Sequence, residues 1–494
     1  METQLGKKIE RATIWSSVTE IMAKLITPIV NMVLARVLAP EAFGAVATIS
    51  MIISFAEIFS DAGFQKYIIQ HEFESKKELE QSTTVAFWTN LGVSLVAVLI
   101  ICLFRHPLAN LVGSPRLGNA IAISSVNIIL VAFSSIQTAR YRRDFDFKTL
   151  FYSRFGSSII PLVITVPLAL VFKNYWALIL GTIVSNCYIA IILTVKSKWK
   201  PRFYYSFKQL KEMLSFSLWT MVASIAVWLT SYIDVFIVGS YLNEHYLGIY
   251  KTSMSTVNAY MGIVAAATTP VLFSALSRYQ NNDAEFKKSF YSFQRLTAVL
   301  LFPMGMGIFI FSDLVTEILL GSQWTEAAGF VGLWGLTSAF SVVISNYNGE
   351  VHRSKGNPKI TLISQCIHLV FLTTILIISV RHGFKILYIA RSLTRIQAIV
   401  TSLIFISFLY GFKIKSVLKN IFPPFVCALI MGTVGYGLKS INNSIIWQFV
   451  CIVICIIVYF AVLFTLFPKI RKEILNFPSL RKILKKFSIF EKLL

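Results

Sequence analysis

The sequence predicts an all-α membrane protein of about fourteen transmembrane helices, built as two similar six-helix lobes followed by two more helices. Three observations predict it. Of 494 residues, 56% are hydrophobic and only 14% are charged, against about 25% charged in a soluble domain. Apolar segments of roughly 20 residues, the length of a helical span, recur along the chain. A weak internal repeat relates the first six segments to the next six.

Elements follow from the apolar runs and the Pro, Gly, Asn and Asp clusters between them. Spans are expected at 12–38, 43–69, 83–104, 119–140, 152–172, 176–195 and 211–240, then at 246–275, 291–313, 327–350, 358–380, 384–409, 418–439 and 445–467. Runs this long exclude barrel strands, and lipid tolerates no other open backbone. Lys7, Lys8 and Arg11 before the first run mimic a signal peptide, but Glu20, Lys24 and Asn31 interrupt that run and no small-residue cleavage site follows. It is read as the first span. Pro28, Pro161, Pro167, Pro270 and Pro303 fall inside spans, where each removes a helix hydrogen bond.

The formal net charge is +23, from 46 Lys and Arg against 23 Asp and Glu. Cations scattered between apolar spans exclude a nucleic-acid surface and instead orient the spans and meet anionic lipid heads. With a cytoplasmic N-terminus, 34 Lys and Arg lie in inner segments, six in outer loops and six inside spans. The positive-inside rule then places both termini in the cytoplasm. The six cysteines, Cys102, Cys187, Cys366, Cys427, Cys451 and Cys455, all lie in apolar segments and read as packing residues.

In the repeat, Trp15 matches Trp219, Leu38 matches Leu242 and Gly44 matches Gly248 at one offset. Leu111-Val112-Gly113 and Leu319-Leu320-Gly321 continue it at a slightly larger one. An even number of spans separates the copies, so they share orientation. The expected organisation is an N-terminal lobe at 1–200, a second lobe at 201–412, two additional helices at 413–468, and a basic amphipathic cytoplasmic tail at 469–494.

Charges inside spans are expensive and rarely face lipid. Ser16, Glu20, Lys24, Thr27 and Asn31 share one helix face in the first span, and Ser50, Ser54, Glu57, Asp61 and Gln65 share one in the second. Two aligned polar stripes point to a water-filled cavity in the first lobe. A Glu20–Lys24 pair within the helix is the alternative. In the second half, Lys251, Ser255, Asn258 and Gly262 share a face, Asp234 lies near the outer end of the seventh span, and Ser338, Ser341, Ser345 and Asn348 line the tenth. His352, beside Arg353 and Lys355, reads as an interfacial side chain. Arg391 and Arg395, four residues apart, sit near the middle of the twelfth span. Two guanidinium groups can hold a diphosphate bidentately, or pair with carboxylates of neighbouring helices.

There is no GxxxxGK[ST] loop, HExxH, GxSxG or metal-spaced Cys/His cluster. A transporter is expected rather than an enzyme, with no cofactor. A drug or cation antiporter and a membrane glycan polymerase or ligase are the rival readings.

Residues 34–44, Leu-Ala-Arg-Val-Leu-Ala-Pro-Glu-Ala-Phe-Gly, with Phe59-Ser-Asp61-Ala-Gly63 and Ile68-Ile-Gln70, resemble the N-terminal signature of bacterial Wzx-type polysaccharide flippases. These belong to the multidrug/oligosaccharidyl-lipid/polysaccharide (MOP) exporter superfamily. Arg140-Tyr-Arg142-Arg143-Asp-Phe-Asp-Phe-Lys148 is similar to the basic linker of the WzxC-like (PST) branch. The resemblance implies two six-helix bundles forming a V around a central cavity. It implies movement of an undecaprenyl-diphosphate-linked oligosaccharide to the outer leaflet of the bacterial cytoplasmic membrane, coupled to H+ or Na+. It also implies membrane lipids as surroundings and polysaccharide polymerase or assembly proteins as candidate partners. Its cationic cavity would map onto Lys24, Arg36, Lys251, Arg391 and Arg395, with Asn31 and Asn258 as further contacts. Glu57, Asp61, Glu20 and Asp234 are the candidates for ion coupling.

Overall fold

The computed structural model describes residues 2–61, 63–442 and 444–475, with side chains described at all of these except 2–10, 12–14, 17, 20, 21, 215–220, 223, 358, 474 and 475. Its regular structure is helical throughout the described residues. The long helices are α1 (Glu2–Val37), α2 (Pro40–Asp61), α3 (Lys76–Leu103), α4 (Pro115–Arg143), α5 (Phe147–Phe172), α6 (Trp176–Lys196) and α7 (Phe207–Tyr241). They continue as α8 (Glu244–Arg278), α9 (Asp283–Ile310), α10 (Ser322–Ser354), α11 (Pro358–Val380), α12 (Phe384–Tyr410), α13 (Ile414–Lys439) and α14 (Ile445–Leu466). Thirteen stretches among the described residues are long and apolar enough to cross a bilayer. The expected first span lies on α1. This is a multi-pass, all-α membrane protein.

Polar residues start these helices where the sequence offers them. Ser75, Asp146, Ser206, Asn282 and Ser444 each accept a hydrogen bond from a first-turn amide of α3, α5, α7, α9 and α14. Each satisfies a donor that the helix cannot satisfy internally. Inside the bundle, Asn90 Nδ2 donates to Ser135 Oγ at 2.6 Å and Gln137 Nε2 donates to Thr194 Oγ1 at 2.7 Å, tying α3 to α4 and α4 to α6. Such bonds hold helices together where the hydrophobic effect between them is weak.

The chain divides into two compact units. The first comprises 1–259, 319–324 and 369–390; the second comprises 260–318, 325–368 and 391–494. In the first unit α2 packs against α3, α4 and α7, α1 against α5, and α6 against α4 and α5. Repeat-matched residues play exchanged roles there. Gly113 (φ 74°) lies against Ser240 at the end of α7, and Gly321 (φ 104°) lies against Arg36 at the end of α1. Both glycines take the left-handed backbone that a side chain would strain.

In the second unit α9 is central, packing on α10 and α13, with α14 on α13. Tyr459 donates to the Val299 carbonyl at 3.0 Å and Asn420 to the Tyr291 carbonyl at 2.8 Å. The fully buried Tyr347 hydroxyl bonds both Thr268 and Thr297.

Three expectations change. The second span is not continuous over 43–69: α2 ends at Asp61, Gly63 is left-handed (φ 82°), and Phe64–Gln70 forms a separate short helix. The reversal puts Gln65 on a separate helix from Ser50, Ser54, Glu57 and Asp61, because a left-handed glycine terminates the helical periodicity, while Gln65 still hydrogen-bonds the Asp61 carboxylate. The His352 side chain is not exposed: it is buried within the protein, with Nδ1 3.3 Å from the Tyr410 hydroxyl. The tenth span carries a π-turn at Val342–Asn346 and the fifth another at Pro161–Thr165. In the fifth, proline removes the amide that regular α-helix requires. Of the expected basic tail, Pro468–Leu475 is helical and residues 476–494 lie outside the described residues.

Candidate functional site

The polar faces of α1 and α2 meet polar faces of α4, α5 and α6 inside the first unit. A cavity of about 420 Å³ is lined by Thr27 and Asn31 of α1, Ser157, Ser158 and Thr165 of α5, and Thr182 and Ser185 of α6. A second, of about 220 Å³, is lined by Ser50, Ser54 and Glu57 of α2, Asn127 of α4, and Asn186 of α6. Val46 and Thr182 line both, so the two adjoin. Asn186 Nδ2 donates to Asn127 Oδ1 at 2.9 Å, closing one wall. The π-turn of α5 places Pro161 and Thr165 on the larger cavity. A π-turn re-aims side chains by one position and recurs at functional sites.

In the second unit the two arginines of α12 gather on Trp334 of α10. The Arg395 guanidinium carbon lies 3.6 Å from the centroid of the fully buried indole, and that of Arg391 lies 5.0 Å away. Arg391 is itself buried and donates from Nη1 to Thr394 Oγ1 at 3.1 Å. Arg395 is eleven residues into the 27-residue helix, about 16 Å from its start at 1.5 Å per residue. Alongside, His368 Nδ1 lies 2.9 Å from Gln397 Oε1, and Gln397 Nε2 donates to Thr401 Oγ1 at 2.7 Å. An indole face attracts guanidinium by about 0.5–2 kcal/mol and fixes its plane. The arrangement holds two guanidinium groups on one ring partway along α12.

The remaining candidates are dispersed. Lys251 Nζ donates to the Ser231 carbonyl at 3.3 Å and lies 5.2 Å from the Tyr232 ring centroid. Asp234 is buried and accepts from the Tyr250 hydroxyl at 3.1 Å. Arg36 is exposed, with its stem against Gly321. Lys24 is half-buried and Asn258 exposed, and neither lines the two cavities. Asp61 is half-buried, with Oδ1 lacking a hydrogen-bond partner. The Glu20 side chain lies outside the described residues. The structure therefore brings Asn31 and Glu57 to adjoining cavities and Arg391 and Arg395 to one ring.

Sequence reasoning missed Trp334, Asn127, Asn186 and Thr182. Two intramembrane asparagines are a legible signal, since lipid penalises an unpaired amide. Trp334 has none: within Val331-Gly-Leu-Trp-Gly it reads as core.

Residues 33–329 match the family described as polysaccharide biosynthesis protein. The chain belongs to that family. This polysaccharide biosynthesis protein is 28% identical to the succinoglycan biosynthesis transport protein ExoT of Rhizobium meliloti (strain 1021), over 64% of this chain and 63% of the relative. It is 21% identical to the lipopolysaccharide biosynthesis protein WzxC of Escherichia coli (strain K12), over 63% of each. The chain thus spans somewhat under two thirds of these relatives' length. Among solved structures it resembles the lipid II flippase MurJ in an inward closed conformation, with a TM-score of 0.77 at 16% identity over 93% of this chain and 99% of that one. It also resembles an inward-facing multidrug resistance MATE family transporter of the MOP superfamily, with a TM-score of 0.59 at 13% identity over 83% and 99%. At these identities the likeness shows the fold alone.

Proposed function

We propose that this protein is a flippase that moves a diphosphate-linked oligosaccharide from the inner to the outer leaflet of a bacterial cytoplasmic membrane, without changing a covalent bond. The observation that carries the reading is the pair Arg391 and Arg395, held on Trp334 near the middle of a span. A lipid-linked diphosphate carries at least two negative charges, and bare hydrocarbon opposes its passage by many kcal/mol. Cations oriented at depth replace the water that the diphosphate loses. Membership of a polysaccharide biosynthesis family and relatives named for polysaccharide transport supply the polymer class.

In this reading lobes 1–200 and 201–412 alternate access to the two leaflets, both termini are cytoplasmic, and the lipid tail remains in the bilayer. Lys24, Arg36 and Lys251 extend the cationic path, with Asn31 and Asn258 beside it. Glu57, Asp61, Glu20 and Asp234 are the candidates for H+ or Na+ coupling. Polysaccharide polymerase and assembly proteins receive the cargo.

A leaflet-resolved assay of lipid-linked glycan tests the proposal. Cells carrying Arg395→Ala should retain the protein in the membrane and accumulate complete glycan units on the inner leaflet. Normal export with glycan of normal chain length in that variant overturns the role of the arginines. Altered unit length on the lipid would indicate an enzyme.

A further inference from the structure

We infer that the adjoining cavities of the first unit are a glycan subsite, which reads sugar hydroxyl groups and leaves the diphosphate to other residues. The inference deepens the flippase reading and rests on it. It starts from hydrogen-bond bookkeeping in the lining. Ser157 and Ser158 both donate to the Arg154 carbonyl at 2.8 Å, Thr182 donates to Leu178 at 2.8 Å, and Ser185 donates to Gly181 at 2.8 Å. These hydroxyl protons are committed to the backbone, so the four oxygens offer the cavity lone pairs alone. One of the two N–H groups of the Asn186 amide is committed to Asn127 Oδ1, and the Glu57 carboxyl group adds two more oxygens beside it.

Such a wall selects its ligand. A phosphate or diphosphate brings only acceptors and needs cationic or N–H donors, and no Lys or Arg lines either cavity. A sugar ring brings a donor on every hydroxyl. Asn31, which can both donate and accept, lets the same wall answer a ring oxygen or an acetamido group. Phe43 and Leu34 supply an apolar face for the ring's C–H side. At about 420 and 220 Å³ the cavities fall near the range of small-molecule sites, about 300–1,000 Å³.

Binding to the full-length protein in nanodiscs tests this. The probes are undecaprenyl diphosphate and the same lipid carrying glucose, galactose or N-acetylglucosamine. At least one glycosylated lipid should bind about tenfold tighter than the bare diphosphate. Thr182→Val keeps the shape and removes the hydroxyl; it and Ser185→Ala should each reduce that advantage at least fivefold while leaving the bare lipid's affinity unchanged. Arg395→Gln should weaken both lipids equally. If the sugar advantage survives both cavity variants, or no glycosylated lipid binds tighter, the glycan subsite is refuted and the flippase reading stands. If Na+ stabilises the wild type but not Thr182→Val, and no sugar advantage exists, the cavity is a cation site and the inference fails. If neither lipid binds the wild type, the flippase reading fails and the subsite with it.

Discussion

Gly44 of α2 and Gly248 of α8 meet backbone to backbone, although 203 residues separate them in the chain. A Cβ on Gly44 would stand 1.9 Å from the Glu244 carbonyl oxygen, and one on Gly248 would stand 1.8 Å from that of Pro40. Each would lie 3.0 Å from the amide nitrogen of the other glycine. The contact is reciprocal because the two residues occupy matching places in the repeat. Glu41 and His245, matched at the same offset, also pair, with Oε1 2.8 Å from Nδ1.

Adding a methyl group at either glycine therefore drives backbone from backbone. Gly44→Ala and Gly248→Ala should each cost about 1–3 kcal/mol, as overpacking does, and lower the melting temperature of the purified protein. Gly92→Ala and Gly262→Ala are the controls, since nothing lies within 4 Å of their Cβ positions. These should be neutral or slightly stabilising, because alanine favours helix. Equal melting temperatures for all four would contradict the close approach.

The Trp334 stack predicts that arginine cannot be exchanged for lysine. Arg395→Lys keeps the charge but loses the planar group lying 3.6 Å from the ring centroid. Trp334→Leu removes the platform and should reduce export about tenfold, the equivalent of about 1.4 kcal/mol. Trp334→Phe should retain more activity than Trp334→Leu. Initial rates of glycan appearance on the outer leaflet would rank the three variants, and a Leu variant as active as Phe would remove the stack from the mechanism.

Glu57 tests ion coupling. Glu57→Gln conserves shape and hydrogen-bonding reach while removing the ionisable carboxyl group from the smaller cavity. Transport by the variant should no longer respond to an imposed H+ or Na+ gradient, with the protein's abundance unchanged. An undiminished response in vesicles would transfer the coupling role to Asp61, Glu20 or Asp234.

Arg143 is a structural cation despite its place in a basic run. Its Nη1 donates to the carbonyls of Ile68 at 2.8 Å, Ile69 at 3.4 Å and His71 at 2.7 Å, and its guanidinium carbon lies 4.8 Å from the Phe73 ring centroid. It closes the end of the short helix Phe64–Gln70. Arg143→Met should cost about 1.5–3 kcal/mol, the scale of a charged hydrogen bond. Amide hydrogen exchange should rise locally across residues 64–73. Exchange unchanged in that segment would show that the cap carries no stability.

The long helices were legible because hydropathy is a local property: about 20 consecutive apolar residues fold as helix in lipid whatever surrounds them. The stripe from Ser50 to Asp61 was legible for the same reason, since helical spacing alone puts those residues on one face. The continuity of that helix failed before Gln65, where one left-handed glycine ended the periodicity, although Gln65 still reaches Asp61. The repeat also announced itself, through Gly44 and Gly248, but the sequence did not say that they touch. Which helix supplies the ring beneath Arg395, and which amide faces Asn127, were decided by tertiary packing. Those partners lie 61 and 59 residues away along the chain, and side-chain periodicity carries no information about the neighbouring helix. Spans follow from the exchange of each segment with lipid; a site requires segments to choose one another, and close packing makes that choice.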